Sequence, residues 1–179
     1  MSSYPQRCDA LAPPPDPRPL LASKRLPELL TIWRFRNNAR RDNLEGFWKG
    51  IFGYTHGIAV VNAFYENVNR HRAEGRELGA DEAAENVVLE FKPRPTQNML
   101  VACLWSRWTG SGEPDLLSFA AITDEPPPEV AAAGHDRCII PIRPEHVDAW
   151  LNPDPANLPA QYAILDDRVQ PFYDHRMAA

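Results

Sequence analysis

The sequence predicts an α+β domain with a mixed, largely antiparallel and barrel-like β-sheet core and short peripheral helices. Several apolar runs of strand length are separated by turn signals, such as the proline-containing stretch between Phe91 and Met99. Nineteen prolines, about twice the average usage, favour fixed turns over long helices. Helical periodicity is confined to short stretches, which places the helices at the edges of a sheet rather than in a bundle.

The length and charge of the chain limit the classes of protein to which it can belong. The 179 residues suffice for one domain with its own core, and the net charge of −5 excludes a protein that is cationic over its whole surface. Nucleic-acid binding needs only a local basic patch and is not excluded. We expect a proline-rich extended or disordered arm at residues 1–23 and a folded domain at 24–179. No apolar run approaches membrane-spanning length, so we expect no membrane contact. The sparse cysteines favour a reducing cytoplasm, and we expect a monomer.

The cysteines indicate neither a disulfide framework nor a zinc site. There are three, Cys8, Cys103 and Cys138, with no Cys-x-x-Cys pair. His135, Asp136 and His146 also lack a recognisable metal-ligand spacing. The sequence therefore predicts neither a metal nor a cofactor.

The first element after the arm is strongly basic. Residues 24–41 carry six basic side chains against one acidic side chain, and Trp33 and Phe35 alternate with Arg34 and Arg36. Arginines neutralise phosphates and aromatic rings stack on unpaired bases, so this stretch fits a platform for single-stranded nucleic acid. The alternation fits equally well a strand with one face in the core and its arginines in water.

The next elements are a predicted helix and a strand that leads to a carboxylate. Asn43 is a suitable N-cap, and helical spacing predicts a helix through Phe52 with one apolar face, made of Leu44, Phe47, Trp48, Ile51 and Phe52. Residues 58–61 predict a strand. Glu66 follows it, and a carboxylate beside a buried strand can have its pKa raised for general-acid function. A surface-facing glutamate is the alternative.

The second half of the chain predicts more strands and two short helices. Polar residues 69–85 indicate an exposed loop, and apolar runs predict strands at 87–91, 99–105 and 116–122. Trp105 and Trp108, at the end of the second run, fit either a pocket lining or the core. A short helix capped near Thr123 is expected to end at Gly134. The order closes with a helix from Glu145 to Leu151 and two short strands at 161–165 and 168–173.

Three ionisable residues, His135, Asp136 and Arg137, stand directly before the apolar run 138–142. A strand start holds a side chain rigidly, and histidine changes its charge near neutral pH. The segment therefore fits a proton-transfer group. It also fits a solvated strand entry in which Asp136 and Arg137 form a weak surface pair.

Three segments together resemble the SOS response-associated peptidase (SRAP) family, whose members protect abasic sites in single-stranded DNA. The family's Asn-Ala-Arg motif is similar to Asn38-Ala39-Arg40, and its Gly-Phe-Tyr-Glu-Trp motif is similar to Ala63-Phe64-Tyr65-Glu66-Asn67. Its His-Asp-Arg motif is similar to His135-Asp136-Arg137. The order and spacing agree, and the resemblance covers roughly residues 30–178.

The resemblance implies roles for particular residues. In the family, an N-terminal cysteine forms a DNA–protein crosslink when its amine and thiol condense with the aldehyde of the opened abasic sugar. Asn38 would hold the reacting group, Glu66 would shuttle protons, and His135 would assist ring opening. The implied DNA contacts are Arg40 and Arg137 on flanking phosphates, and the stretch with Trp33, Arg34 and Arg36 as the single-strand platform.

The sequence departs from the family where the reactive cysteine is expected. The family begins Met-Cys-Gly-Arg, whereas this sequence begins Met1-Ser2-Ser3. A start site upstream, a degenerate homologue and cleavage before Cys8 are three open explanations, and no nucleophile is assigned. The alternative functions are a non-covalent single-stranded DNA-binding module, an inactive homologue, and a thiol hydrolase using Cys138.

Overall fold

The computed structural model describes residues 38–108 and 116–178. The chain from Asn38 onward forms one compact unit. The predicted arm at 1–23 and the basic stretch with Trp33, Arg34 and Arg36 lie outside the described residues. Among the described residues, no helix has both the length and the apolar character that a bilayer crossing requires.

The described chain alternates nine strands with short helices. The strands are β1 (Asn38–Arg40), β2 (His56–Val61), β3 (Phe64–Asn69), β4 (Asn86–Arg94), β5 (Met99–Trp108), β6 (Leu116–Asp124), β7 (Cys138–Ile139), β8 (Pro141–Ile142) and β9 (Phe172–Met177). The helices are α1 (Arg70–Ala73), α2 (Pro128–Ala132), α3 (Val147–Leu151) and α4 (Leu158–Asp166), with 3-10 turns at Arg41–Asn43 and Pro144–His146.

The strands form two sheets. The larger sheet has the order β1-β6-β5-β2, with β7 paired to β6 and β8 paired to β5, and the smaller sheet has the order β3-β4-β9. Only β1 and β6 pair in parallel, and every other described pair is antiparallel. The predicted α+β class and the mixed, largely antiparallel pairing are confirmed. The two sheets do not close into a barrel.

Each face of the larger sheet carries its own buried apolar cluster. Ala102 and Leu104 of β5 belong to the cluster that includes Trp150 and Leu165 of the helical side. Val101 and Cys103 alternate with them and belong to the second cluster. We call this second cluster the inter-sheet core, since it joins Phe64, Phe91 and Tyr173 of the smaller sheet to Val101, Cys103 and Cys138 of the larger. Packing on both faces explains why residues 99–104 of β5 form one continuous apolar run.

A buried histidine joins β2 to α3. His56 is 4% exposed, and its Nε2 accepts the Gly53 N–H at 2.9 Å. Its Nδ1 lies 3.1 Å from the Trp150 carbonyl oxygen, which can only accept, so Nδ1 carries the proton. Burial lowers the pKa of His56 from 6.5 to about 4 and outweighs the carbonyl contact. The ring is therefore neutral in the folded protein near pH 7.

The predicted helix at 43–52 is wrong: residues 44–54 form a series of turns. Gly46 and Gly50 lie inside the predicted helix, and each costs a helix interior about 1 kcal/mol relative to alanine. Asn43 does bond to the chain ahead, since its Oδ1 accepts the Phe47 N–H at 3.2 Å. Leu44 and Phe52 are buried as expected, but Phe47 is 68% exposed, because the turns do not keep the helical spacing.

The predicted strands at 161–165 and 168–173 are also wrong. Residues 158–166 form α4, with Ile164 and Leu165 buried, and the last strand is β9, which starts at Phe172. A short apolar run does not distinguish a buried helix from a strand. The proline at the start of α4 is the feature that favours a helix.

The apolar run 138–142 is divided between two neighbours. Its middle residue, Ile140, donates its N–H to the Ile122 carbonyl at 3.1 Å and accepts the Ala102 N–H at 2.9 Å. β7 therefore bonds to β6, while β8 bonds to β5. The segment that follows His135 is thus fixed between two central strands.

Candidate functional site

Glu66 lies on the inward face of β3. Side chains alternate along a strand, and Phe64 and Val68 on either side of Glu66 both belong to the inter-sheet core. Its side chain is 21% exposed, so the carboxylate reaches the rim of that core instead of open solvent. The alternative of a surface-facing glutamate is therefore excluded.

His135 is delivered to the same rim by a glycine at the end of α2. Gly134 has φ +95°, and an added Cβ would lie 2.7 Å from Cβ of Arg72 on α1. A side chain at position 134 is thus disfavoured both by the backbone conformation and by the close packing on α1. α2 itself ends at Ala132, two residues before the predicted end at Gly134, and the His135 side chain is 16% exposed.

Glu66 and His135 contact each other directly. His135 Nε2 lies 3.1 Å from Glu66 Oε2, and Nδ1 lies 2.8 Å from the Arg137 carbonyl oxygen. The Arg137 N–H is 3.3 Å from the same Nδ1, but the shorter contact has a partner that can only accept, so Nδ1 is the donor. A proton on each ring nitrogen satisfies both partners.

The surroundings of His135 favour its charged form. Burial alone lowers its pKa, but the hydrogen bonds to Glu66 and to the Arg137 carbonyl, with the charges of Glu66 and Asp136, together raise the pKa above the ordinary value of 6.5. In its protonated form the His135 imidazole can donate a proton, and the neighbouring Glu66 carboxylate can accept one.

Glu66→Gln tests this electrostatic coupling without DNA. The variant keeps the shape of the side chain but removes its charge. We therefore expect the pKa of His135 to fall, because burial lowers this pKa and the charge of Glu66 no longer raises it. An NMR titration of the His135 Cε1 proton measures the change. Asp136→Asn is the matched control: Asp136 is 75% exposed and acts on His135 only at longer range, so its removal should lower the pKa less. Equal shifts in the two variants would contradict the pairing.

Asn38 lies on β1 at the edge of the larger sheet. It is in register with Ala121 of β6, and Cα partners in a ladder direct their side chains to the same face. Ala121 packs against the inter-sheet core, the cluster that flanks Glu66. Asn38 thus extends from the same face of the sheet, although no hydrogen bond links it to Glu66 or His135 among the described residues.

The two predicted phosphate-binding arginines lie near this rim, each beside a carboxylate. Arg40 bonds to Asp42 through Nε at 3.0 Å and a terminal nitrogen at 2.8 Å, and Asp136 also contributes to raising the pKa of Arg40. Arg137 lies 3.5 Å from Asp136. Exposed ion pairs of this kind contribute little stability, so a phosphate can replace the carboxylate at modest cost.

An open cavity of about 420 Å³ adjoins His135, lined by Arg72, Gly75, Gly134, His135 and Asp136 among others. Arg72 is exposed there and adds a positive charge beside the histidine. The sequence pattern assigned it to a solvated loop, because nothing local in the sequence shows that α1 packs on Gly134. Arg72 is thus a functional candidate that the pattern missed.

Thr123 is a second candidate that the sequence did not indicate. It is 1% exposed, it lies in β6 between Arg40 of β1 and Ile139 of β7, and its hydroxyl has no hydrogen-bond partner. The predicted role of a helix cap is wrong, since α2 is preceded by Pro127 and has no side-chain cap. The hydroxyl is a spare polar group close to Arg40.

The described cysteines are poor nucleophiles. Cys103 and Cys138 are both buried, and burial raises the pKa of their thiols to about 11 and about 12. Neither forms a thiolate near pH 7, which argues against a thiol hydrolase using Cys138. Within residues 38–108 and 116–178, no group of three metal-ligating side chains is assembled.

The sequence matches the model of one known protein family. The family model described as SOS response associated peptidase (SRAP) matches residues 29–178. No curated protein matches the chain.

Twelve chains of solved structures match. A Bordetella bronchiseptica protein is 16% identical with a TM-score of 0.58, covering 93% of this chain and 72% of its own. A Bacteroides thetaiotaomicron protein is 15% identical with a TM-score of 0.58, covering 87% and 63%. A phage-related Bordetella bronchiseptica protein is 21% identical with a TM-score of 0.54, covering 79% and 62%. At these identities the likeness shows the fold alone, and the chain spans less than two thirds of the last two.

Proposed function

Because the chain belongs to the SOS response-associated peptidase family, we propose that it binds single-stranded DNA at abasic sites and moves protons on the exposed sugar. The observation that carries the proposal is the contact of 3.1 Å between Glu66 and His135. A carboxylate and an imidazolium at the rim of a core form an acid–base pair, and an abasic sugar needs both an acid and a base to open.

The proton transfers of ring opening balance across this pair. The closed sugar is a hemiacetal, and opening breaks the bond between C1′ and the ring oxygen to leave an aldehyde. His135 donates its Nε2 proton to the ring oxygen, while Glu66 accepts the proton of the C1′ hydroxyl. The products are the aldehyde, a neutral imidazole and a protonated carboxyl, so the net charge of the pair is unchanged. Positioned acid–base groups contribute on the order of 10²- to 10⁴-fold in rate.

The remaining candidate residues would hold the DNA around this reaction. Asn38 has an amide that can donate to the sugar oxygens and accept from them, and it shares the face of the sheet on which the inter-sheet core lies. Arg40 and Arg137 would bind the flanking phosphates. The stretch with Trp33, Arg34 and Arg36 would extend the contact along the strand.

A covalent product requires a further nucleophile. In the family, the α-amine of an N-terminal cysteine adds to the aldehyde and loses water to give an imine, and the thiol then closes a thiazolidine ring. Cys103 and Cys138 lie within the chain and have no free α-amine, so neither can take this step. Both are also buried, so the described residues offer the DNA no accessible thiol, which favours a second candidate function in which the protein holds abasic single strands without forming a covalent bond.

One experiment tests the proposal and separates the two forms of it. The protein is mixed with a single-stranded oligonucleotide carrying one abasic site, and also with the matched intact oligonucleotide. We expect tighter binding of the abasic strand in a native titration. A shifted band on a denaturing gel, removed by Cys8→Ala, would identify Cys8 as the nucleophile; native binding without such a band would support the non-covalent form. Equal affinity for both strands would refute recognition of abasic sites.

A further inference from the structure

We infer that Trp105 and Phe119 form a base-stacking platform for the single strand that leads away from the abasic site. We call this pair the aromatic platform. The inference rests on the proposed function, because it adds a binding subsite for the same DNA. It concerns the hairpin of β5 and β6, to which neither the motifs nor the family match assigns a role.

The side chains of Trp105 and Phe119 lie next to each other and are exposed to solvent. Trp105 and Phe119 are Cα partners across the β5–β6 ladder, so their Cβ atoms are roughly 5 Å apart on the same face. They are 41% and 54% exposed, and the neighbouring Leu117 is 63% exposed. Contiguous exposed apolar groups are unusual on a soluble surface and mark binding sites.

Trp105 is held in place through its polar edge. Its Nε1 donates to the His56 carbonyl at 3.1 Å, which satisfies the only hydrogen-bond donor of the ring. Its Cδ1 lies 3.5 Å from where a Cβ would stand on Gly57 of β2, so the indole rests against a strand with no side chain at that position. A ring fixed in this way loses little conformational freedom when a base stacks on its open surface.

The aromatic platform shares a face with the proposed catalytic pair. Trp105 and Phe119 are each two residues along the strand from Cys103 and Ala121, which face the inter-sheet core, and side chains two apart point the same way. Asn38 is in register with Ala121 on that face. The platform therefore continues the surface on which the amide and the acid–base pair lie.

The separation between the platform and the pair corresponds to a few nucleotides. Phe119 and Asp124 both lie in β6, and Asp124 is in register with Cys138, which packs in the inter-sheet core together with Phe64 and Val68, the residues on either side of Glu66. Five residues of strand span about 17 Å. At about 3.4 Å per stacked nucleotide this equals roughly five nucleotides.

The chemistry of the surface favours a nucleic-acid strand over an apolar peptide. The platform offers flat aromatic surface, and three arginines, Arg40, Arg72 and Arg137, lie toward the Glu66 end in a chain whose net charge is −5. Flat apolar groups linked by anionic groups match this combination, and a single strand of DNA alternates bases with phosphates in that way.

The test is the affinity for an intact single strand, measured by fluorescence anisotropy at fixed salt with Phe119→Ala, Trp105→Ala and the double variant. Stacking contributions of the usual size predict a loss of about tenfold for each single variant and up to roughly a hundredfold for both. Phe47→Ala is the matched control, since Phe47 is an exposed aromatic residue at 68% in the turns that pack on the helical side. Its affinity should stay within about twofold of wild type, below a single stacking contribution.

The outcomes separate the inference from the proposed function. If the wild type binds single strands and the double variant binds equally well, the aromatic platform is refuted while the proposed function stands. If the wild type binds no single strand, the proposed function fails and the inference fails with it. Phe119 is 54% exposed and its side chain has no polar group to leave unpaired, so its alanine variant remains interpretable even if the Trp105 variants fold poorly.

A second measurement locates the contact. A photoreactive 5-iododeoxyuridine is placed at successive positions on either side of the abasic site. We expect crosslinking to Trp105 or Phe119 to peak on one side, about five nucleotides away. Crosslinks confined to residues outside the hairpin would overturn the assignment.

Discussion

Replacing His135 by alanine is expected to slow ring opening of the abasic sugar by about 10²- to 10⁴-fold, the usual contribution of a positioned acid or base. Glu66→Gln should cause a loss of similar size, because each group completes the proton path of the other. The double variant should be little slower than either single variant, since groups that act as a unit are not additive. The rate is measured as capture of the aldehyde by a saturating alkoxyamine, with and without protein.

Two controls distinguish loss of chemistry from loss of binding. Asp136→Asn removes a neighbouring charge that is 75% exposed, and should change the rate far less. The affinity of His135→Ala for an intact single strand should match that of the wild type, because an intact strand has no abasic sugar for Glu66 and His135 to act on. The rate should also fall as the pH rises through the pKa of His135, which lies above 6.5, because the acid form is lost. A rate that is unchanged in both site variants would eliminate the proposed pair.

Acidification should destabilise the fold through His56 by about 3 kcal/mol between pH 7 and pH 4. The pKa of His56 is about 4 in the folded protein against 6.5 as its ordinary value, and each unit corresponds to about 1.4 kcal/mol. Between these two values the unfolded chain binds the proton and the folded chain does not. The free energy of unfolding therefore falls as the pH drops below 6.5 and stops falling near 4.

Urea unfolding at several pH values, on the wild type and on His56→Gln, isolates this effect. Glutamine can accept from Gly53 and donate to the Trp150 carbonyl, but it does not titrate. We expect the variant to be less stable at pH 7 and to lose less stability on acidification. The carboxylates titrate alike in both proteins and cancel in the difference. Parallel curves for the two proteins would show that His56 is not the acid-sensitive group.

The strands were the most predictable part of the fold. The apolar run from Met99 to Leu104 packs into an apolar cluster on each face, so its sequence carries a strong signal, and the order of motifs identified the family. The turns at 44–54 were not predicted, because the apolar spacing there matches a helix and only the glycines oppose it. The α4 helix was missed because a short apolar run fits either structure.

The site was predictable only where a motif marked it. Glu66 and His135 each read as a surface residue from local pattern, and the family motifs brought them together. Arg72 and the Trp105–Phe119 pair carry no such mark. Their positions depend on how α1 packs against Gly134 and on the register of β5 with β6, and neither is encoded by the residues next to them in the sequence.

Glu66 belongs to the smaller sheet, whereas His135 leads into the strands of the larger one, so their contact bridges two layers. The distance between the Glu66 and His135 side chains therefore depends on the volume of the side chains packed between the two sheets. Trimming a side chain there, even at a point remote from any DNA, would let the layers settle closer or tilt. The proposed chemistry therefore depends on interior packing at positions that never contact the DNA.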